Sequence, residues 1–234
     1  MSNFKVISLD MFQTLVDVNS RRHNVWRKIL GDSYSPDFAE ECWEAANKLV
    51  FGYFNKFVGE EKQFYNTKYI FQKCYEELFA EKGVSFDPKE GAQILANEHG
   101  YSQSYEDTER FFQALGNTYP ICLVSDTDCD MVQPLLERFK FDKVFLSEDF
   151  KCYKFQSKSH IFKEVINYYQ VNPKDIIHIG DGYSDVIGAS RAGITTCWLN
   201  RRGASWSHEI KPDFTAASLT EAASIIGLGI NNIA

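Results

Sequence analysis

Five residues with reactive side chains lie where short apolar runs end. Asp10 follows the run FKVISL, Ser125 ends the run YPICLVS, and Lys154 comes shortly after KVFLS. Asp181 and Asp185 follow the run KDIIHIG in the stretch GDGYSD. A carboxylate can attack phosphorus or carbon or hold Mg²⁺, which takes oxygen ligands, and an ammonium offsets the negative charge of an anionic substrate. These residue types therefore suit chemistry on an anionic substrate.

The apolar runs predict the strands of a parallel sheet. Four runs are short and rich in β-branched or aromatic residues, and a fifth, residues 143–147, is weaker. Helical patterns alternate with them at residues 131–140, 159–170 and 185–193. Strands that alternate with helices are typical of an α/β fold, in which ligands bind beyond the carboxyl ends of the strands. We therefore expect the five reactive residues to meet at one edge of one sheet. The four stronger runs are residues 4–9, 119–125, 174–180 and 193–199.

The middle of the chain has a different pattern. Residues 18–106 contain no convincing strand, and residues 38–57 and 66–83 have apolar residues at helical spacing. Gly83 ends the second of these segments and Pro88 follows shortly after it, as is typical of the end of a helix. Residues 104–115 predict the helix that returns to the sheet. We therefore predict an α/β core domain of residues 1–17 and 107–234, with a helical domain of residues 18–106 inserted after the first strand.

Composition excludes several classes of function. The chain has 234 residues, 44% of them hydrophobic, which is enough for a sizeable core, and a formal net charge of -7, which argues against a nucleic-acid surface. It shows no signal peptide and no apolar run long enough to span a membrane. Six scattered cysteines form no C-x-x-C pair, so we expect reduced thiols and a cytoplasmic location. The oligomeric state is left open.

Four stretches resemble the motifs of a known superfamily. In chain order, DMFQTLVD, ICLVSD, YKFQSK and IHIGDGYSDVIGA resemble the four motifs of the haloacid dehalogenase (HAD) superfamily, and GDGYSDVIGASRAG is the most specific part. The resemblance implies a hydrolase with a Rossmann-like parallel sheet core flanked by helices. It also implies an all-helical cap domain inserted between the first and second motifs.

The resemblance implies catalytic and substrate-binding roles. Asp10 would be the nucleophile that forms a covalent aspartyl intermediate. Lys154 would offset negative charge and orient Asp10, while Thr14 and Ser125 would bind the phosphoryl oxygens. The substrate would be a small phosphorylated molecule.

The resemblance also implies a metal cofactor. Mg²⁺ would be held by Asp10, Asp181 and Asp185, together with the backbone carbonyl of Phe12. A carboxylate cannot approach a phosphate dianion without cations, which is the physical reason for such a site.

The first motif departs from the usual phosphatase pattern at two positions. Phosphatases of this superfamily usually carry a second Asp two residues after the nucleophile, which protonates the leaving oxygen and later deprotonates water. Phe12 stands there instead. A phenyl ring transfers no proton. Gln13 replaces the glycine that is usual at the next position.

These departures leave three interpretations open. We favour a Mg²⁺-dependent phosphatase that is either slow or limited to good leaving groups, such as those of acyl or aryl phosphates. The first alternative is a 2-haloacid dehalogenase-like hydrolase, because dehalogenases carry an aromatic residue at the position of Phe12. Against it, dehalogenases lack an Asp at the position of Asp181 and use a cap arginine, whereas residues 28–109 contain no arginine. The second alternative is a catalytically weak protein that binds a phosphorylated ligand or a partner.

Overall fold

The computed structural model describes residues 4–228 of the chain. Within these residues, every helix is too short or too polar to cross a lipid bilayer. The strands are β1 (Val6–Leu9), β2 (Val16–Asp17), β3 (Gln103–Ser104), β4 (Ile121–Ser125), β5 (Lys143–Leu146), β6 (Ile176–Gly180), β7 (Thr195–Leu199) and β8 (Phe214–Ala216). The α-helices are α1 (Arg22–Leu30), α2 (Pro36–Phe57), α3 (Thr67–Lys82), α4 (Pro88–His99), α5 (Thr108–Leu115), α6 (Cys129–Leu136), α7 (Ser147–Phe150), α8 (Ile161–Tyr169), α9 (Tyr183–Arg191) and α10 (Leu219–Ile226).

The α/β unit contains the described residues up to Asp17, residues Ser104–Ser125, and the described residues from Lys140 onward. Its sheet has six strands in the order β5-β4-β1-β6-β7-β8, and all neighbouring pairs are parallel. The predicted fold class, a parallel sheet core flanked by helices, is confirmed. The four strands that precede the reactive residues, β5, β4, β1 and β6, are neighbours in this sheet.

Burial on both faces explains why these runs are strands. In β1, Ile7 pairs with Ile121 of β4 and with Ile177 of β6. Ile7 and Ile177 have no exposed surface, and Ile121 has little. Complete burial of such a side chain stabilises the fold by about 1.5–3 kcal/mol. The continuous apolar runs therefore fix the middle of the sheet, and with it the strand ends that hold the reactive residues.

The helical unit contains residues Val18–Gln103 and Asp126–Phe139. Its core is aromatic: the ring of Tyr75 lies 5.7 Å from the ring of Trp26 and 4.8 Å from the ring of Phe79. All three side chains are buried. Aromatic pairs at these distances contribute about 0.5–1.5 kcal/mol beyond the area that they bury.

Segment 126–139 is tied to the helical unit by a buried aspartate. The carboxylate of Asp128 accepts hydrogen bonds from the backbone N–H of Thr67 (2.8 Å) and of Lys68 (2.9 Å) at the start of α3. These N–H groups have no partner within the helix, so a carboxylate satisfies them. The ion pair between Lys68 and Asp130 adds a second link. Because of these contacts α6, which the sequence suggested as a helix flanking the sheet, lies in the helical unit.

The five predicted strands are all present, and the predicted end of a helix at Gly83 is confirmed, since Gly83 has φ 67° as the C-cap of α3. One prediction was wrong in detail: residues 18–106 contain strand β3, whose two residues are too few to give an apolar pattern. Strands β2 and β8 were not predicted either, because they have only two and three residues. The domain boundaries and the placement of residues 18–106 as a cap stay predictions, and residues 1–3 and 229–234 of the predicted core lie outside the described residues.

Candidate active site

Asp10 follows directly after β1 in the α/β unit. Its backbone N–H donates to the carbonyl of Ile179 (3.0 Å) in β6, which fixes the main chain at the strand end. Its Oδ1 atom accepts hydrogen bonds from the hydroxyl of Ser125 (3.0 Å) and from the ammonium of Lys154 (2.8 Å). Because both of these bonds are to Oδ1, they fix the orientation of the Asp10 carboxylate.

Lys154 bridges two carboxylates. Besides Asp10, its ammonium contacts Oδ1 of Asp185, and its side chain is 2% exposed. Gly188 of α9 makes this position possible: a Cβ atom there would collide with the backbone carbonyl of Lys154. The close packing of α9 on this backbone therefore holds the lysine in the site.

Asp185 lies in the first turn of α9 and is held on both oxygens. Its Oδ2 accepts a hydrogen bond from the backbone N–H of Gly182 (2.9 Å). The carboxylate lies directly over Gly180, where any Cβ atom would collide with it. Gly180 is thus needed for the position of Asp185, which explains the glycine-rich stretch that the sequence analysis singled out.

His178 is a site residue to which the sequence analysis gave no role. It lies in β6, in register with Ser8 of β1, and its Nδ1 is 2.8 Å from the hydroxyl of Ser8. Its Nε2 is 3.0 Å from Oδ1 of Asp185. If Nε2 carries the proton, the histidine accepts from Ser8 and donates to Asp185. The signal in the sequence was a polar residue within an apolar strand, three residues before Asp181.

Asp10, Asp181 and Asp185 form a carboxylate cluster. One oxygen of each lies within 4.8 Å of one oxygen of each of the others. Three carboxylates carry more negative charge than the one ammonium of Lys154 balances, and carboxylate oxygens are the ligands that Mg²⁺ takes. The residues therefore fit a bound divalent cation.

The pKa values of the cluster reflect this crowding. Burial, followed by the charges of Asp10 and Asp185, raises the pKa of Asp181 to about 8. Burial also raises the pKa of Asp10, although Lys154 partly offsets it. Burial alone would raise the pKa of Asp185 too, but the charge of Lys154 and the hydrogen bond with His178 outweigh it and hold that pKa below its usual range.

The turn after Asp10 contains Phe12, Gln13 and Thr14. The backbone closes through hydrogen bonds from Gln13 N to Val16 O (2.7 Å) and from Leu15 N to Met11 O (2.8 Å). Gln13 has φ 63°, the left-handed region that favours the glycine usual at this position. The substitution therefore keeps the backbone conformation of the turn and adds a side chain to it.

Thr14 contacts Asp181 rather than Asp10. Its hydroxyl accepts from the backbone N–H of Asp181 (3.1 Å) and lies 3.5 Å from Oδ1 of the same residue. The structure thus brings together the side chains of all six predicted site residues. They are Asp10, Thr14, Ser125, Lys154, Asp181 and Asp185. Their roles, and that of the Phe12 carbonyl as a metal ligand, stay predictions.

Comparison with known proteins places this site in a family. The family model for haloacid dehalogenase-like hydrolases matches residues 4–193. No curated protein matches the sequence.

Solved structures share the fold at low sequence identity. The HAD-hydrolase YfnB from Bacillus subtilis bound to magnesium is 18% identical, with a TM-score of 0.81, and the match covers 97% of this chain and 100% of that chain. An L-2-haloacid dehalogenase from Xanthobacter autotrophicus is 16% identical, with a TM-score of 0.78 and coverage of 97% and 100%. The defluorinating L-2-haloacid dehalogenase Rha0230 is 14% identical, with a TM-score of 0.77 and coverage of 96% and 95%.

The family model covers most of the chain, from just before β1 to just after α9. The predictions of a HAD superfamily member and of a hydrolase are confirmed. The protein belongs to the haloacid dehalogenase-like hydrolases.

Proposed function

We propose that the protein is a Mg²⁺-dependent phosphatase of a small phosphorylated metabolite and acts through an aspartyl-phosphate at Asp10. One observation carries the proposal: Asp181 lies with Asp10 and Asp185 in a cluster of three carboxylates. Such a cluster has an excess of negative charge that a divalent cation would balance. A bound Mg²⁺ would be held by these carboxylates and the Phe12 carbonyl, and it would supply positive charge for the phosphoryl oxygens.

The residues of the chain have distinct parts in the reaction. Lys154 and Ser125 hold Oδ1 of Asp10, so the other oxygen attacks phosphorus. A bond forms from Asp10 to phosphorus, and the bond from phosphorus to the leaving oxygen breaks, with its electron pair going to that oxygen. Water then attacks phosphorus, and the bond from phosphorus to Asp10 breaks with its electron pair returning to the carboxylate. Inorganic phosphate leaves with both protons of the water, and the carboxylate of Asp10 is restored.

Phe12 limits the substrates that react quickly. It stands where a carboxyl group would donate a proton to the leaving oxygen, and positioned acids contribute about 10²–10⁴-fold. The leaving groups of acyl and aryl phosphates depart without that proton, whereas the leaving group of an alkyl phosphate needs it. We therefore propose an acyl or aryl phosphate as the substrate class that turns over fastest.

The test is phosphate release from acetyl phosphate with Mg²⁺ and with excess chelator. We expect release only with Mg²⁺, and we expect Asp181→Asn to weaken both Mg²⁺ binding, measured by calorimetry, and turnover. Glu109→Gln, an exposed carboxylate on α5, is the matched control. Full turnover in excess chelator would contradict the proposal. Tight binding of a phosphate mimic with no turnover would favour the third interpretation, a binding protein.

Dehalogenation is the second candidate, because several similar structures are L-2-haloacid dehalogenases and Phe12 matches the aromatic residue expected there. In that reaction Asp10 would displace a halide from carbon. The test is chloride release from 2-chloropropionate in excess chelator. Release without metal, with no phosphate released from acetyl phosphate, would replace the phosphatase proposal.

A further inference from the structure

A small cavity opens next to the carboxylate cluster, within the α/β unit. Its volume is about 190 Å³, and its wall includes Asp181, one of the three clustered carboxylates. The other polar and aromatic groups of the wall come from the turn after β1, the segment before α5, the end of β7 and the loop that follows β7. They are Gln13, Tyr105, Trp198, Asn200, Arg201 and Arg202. We call this space the Arg202 cavity.

Arg201 builds the wall of the cavity. Its guanidinium donates to both oxygens of Asp107, at 3.1 and 2.9 Å, and to the backbone carbonyl of Thr14 (3.0 Å). It also lies over the ring of Tyr105, 4.0 Å from the ring centre. Its charge is matched by Asp107, so Arg201 fixes the turn after Asp10 and the tyrosine in place.

Tyr105 and Gln13 form an oriented pair. The phenol of Tyr105 donates to Oε1 of Gln13 (2.8 Å), which makes the other end of the amide the donor. Burial, followed by the charge of Asp17, raises the pKa of Tyr105 to about 12, so the phenol keeps its proton. Gln13 is held at φ 63°, an uncommon conformation for a residue other than glycine, and such conformations cluster at functional sites.

Arg202 brings positive charge to the same space. Its side chain is exposed and lines the cavity, and its charge lowers the pKa values of both Asp181 and Tyr105 against the larger effect of burial. The guanidinium therefore acts on the cavity and on the carboxylate cluster together. A planar guanidinium binds a carboxylate through two parallel hydrogen bonds.

We propose that the Arg202 cavity binds a carboxylate of the substrate, so that the phosphorylated substrate carries a second anionic group. This inference rests on the proposed function, because the phosphoryl group would lie at Asp10 while the carboxylate lies beside Asp181 and Arg202. It assigns a specificity role to the loop after β7, with Arg202 and the amide of Gln13 as donors.

The experiment uses two phosphonates that the enzyme cannot hydrolyse. 3-Phosphonopropionate and 3-hydroxypropylphosphonate have the same length. They differ only at one end, where the first has a carboxylate and the second has a hydroxymethyl group. Their dissociation constants are measured by calorimetry with Mg²⁺ present. A hydrogen bond to a charged group contributes about 1.5–3 kcal/mol, so we expect the carboxylate compound to bind about tenfold more tightly or better.

Two variants test whether Arg202 causes the preference for the carboxylate compound. Arg202→Gln should abolish the preference for the carboxylate compound. Arg110→Gln removes the same charge from an exposed position on α5 and should keep the preference. Equal binding of the two compounds by the natural protein would overturn the inference, and so would a preference that survives in Arg202→Gln.

The outcome separates this inference from the proposed function. If acetyl phosphate is hydrolysed with Mg²⁺ and the two phosphonates bind equally, the phosphatase proposal stands and the carboxylate site falls. If acetyl phosphate is not hydrolysed but the preference depends on Arg202, the carboxylate site stands and the phosphatase proposal falls. If neither phosphonate binds, the carboxylate site is overturned regardless of turnover.

Discussion

In the helical unit, Glu98 is 2% exposed, and both Arg21 (2.7 Å) and Lys28 (2.6 Å) form ion pairs with its carboxylate. Burial alone would raise its pKa, but these hydrogen bonds and charges outweigh burial and lower it. In the α/β unit, Lys154 bridges two members of a three-carboxylate cluster, and the pKa of Asp181 is raised to about 8.

The difference shows which buried charges are structural. Two cations on one carboxylate leave no negative charge to be balanced, so the Glu98 site is complete in the chain itself. Three carboxylates with one bridging ammonium repel one another, and a fold keeps such a cluster only where the surrounding structure fixes it. The charge of the α/β cluster therefore favours binding of a further cation, whereas the charge of the Glu98 site does not.

The strongest contrast is expected from removing one charge in the cluster. Asp10→Asn keeps the size of the side chain but removes the proposed nucleophile, so turnover of acetyl phosphate should fall by roughly 10⁴–10⁶-fold. The melting temperature should stay the same or rise, because one repelling charge is gone. Steady-state kinetics and thermal unfolding check both parts. Turnover within tenfold of the natural protein would exclude Asp10 as the nucleophile.

Adding a carboxylate at position 12 tests whether Phe12 stands in the place of a general acid. Phe12→Asp should raise the ratio of kcat/KM for an alkyl phosphate over acetyl phosphate by about 10²–10⁴-fold, because only the alkyl leaving group needs a proton. The added charge also increases the excess in the cluster, so the Mg²⁺ requirement should become stricter. Phe12→Asn, which has no acid, is the control. An unchanged ratio in a folded protein that binds Mg²⁺ would mean that Phe12 does not occupy the place of an acid.

His178 is expected to act as a positioning residue for Asp185. His178→Ala removes the group 3.0 Å from Oδ1 of Asp185 and should weaken Mg²⁺ binding by about 10–100-fold. His178→Gln keeps an amide donor and should restore part of the affinity, whereas a purely structural role would show no such rescue. Calorimetric titration of Mg²⁺ into each variant measures this. Equal affinities in all three proteins would contradict the assignment.

The Glu98 site should respond in stability and not in metal binding. Glu98→Gln removes the carboxylate but leaves Arg21 and Lys28, which are 24% and 57% exposed and can partly turn to water. We expect a loss of about 2 kcal/mol in the free energy of unfolding, because a buried ion pair loses one partner. Glu109→Gln on the surface of α5 should change it by no more than about 0.5 kcal/mol. Chemical denaturation measures both, and a neutral Glu98→Gln would remove the contrast between the two regions.

The pH dependence of Mg²⁺ binding tests the raised pKa of Asp181. With a pKa of about 8, the carboxyl of Asp181 holds a proton at lower pH, and Mg²⁺ must displace it. Affinity should therefore rise with pH by up to about tenfold per unit and level off above about pH 8. Asp181→Asn should weaken this dependence, with Asp10 left as the carboxyl of raised pKa. Calorimetry between pH 6 and pH 9 measures it, and an affinity that falls as pH rises would contradict the assignment.

The sequence by itself determined the middle of the fold and the members of the candidate site. The run FKVISL is apolar at four of its six positions, a pattern that favours burial of β1 on both faces, and the strands β4, β6 and β7 are likewise buried. Parallel strands place their carboxyl ends at one edge of the sheet. Asp10, Ser125 and Asp181 were therefore predictable as neighbours from their positions after these runs.

Only the tertiary structure decided which groups are partners. Ser8 meets His178 because β1 and β6 pair in one register, and a shift of one residue would turn their side chains to opposite faces. Asp128 reaches the start of α3 across 61 residues of chain. Arg201 and Gln13 join one cavity from opposite ends of the α/β unit's sequence. Such contacts depend on register, loop paths and packing between distant segments. Local patterns of residue type therefore do not predict them.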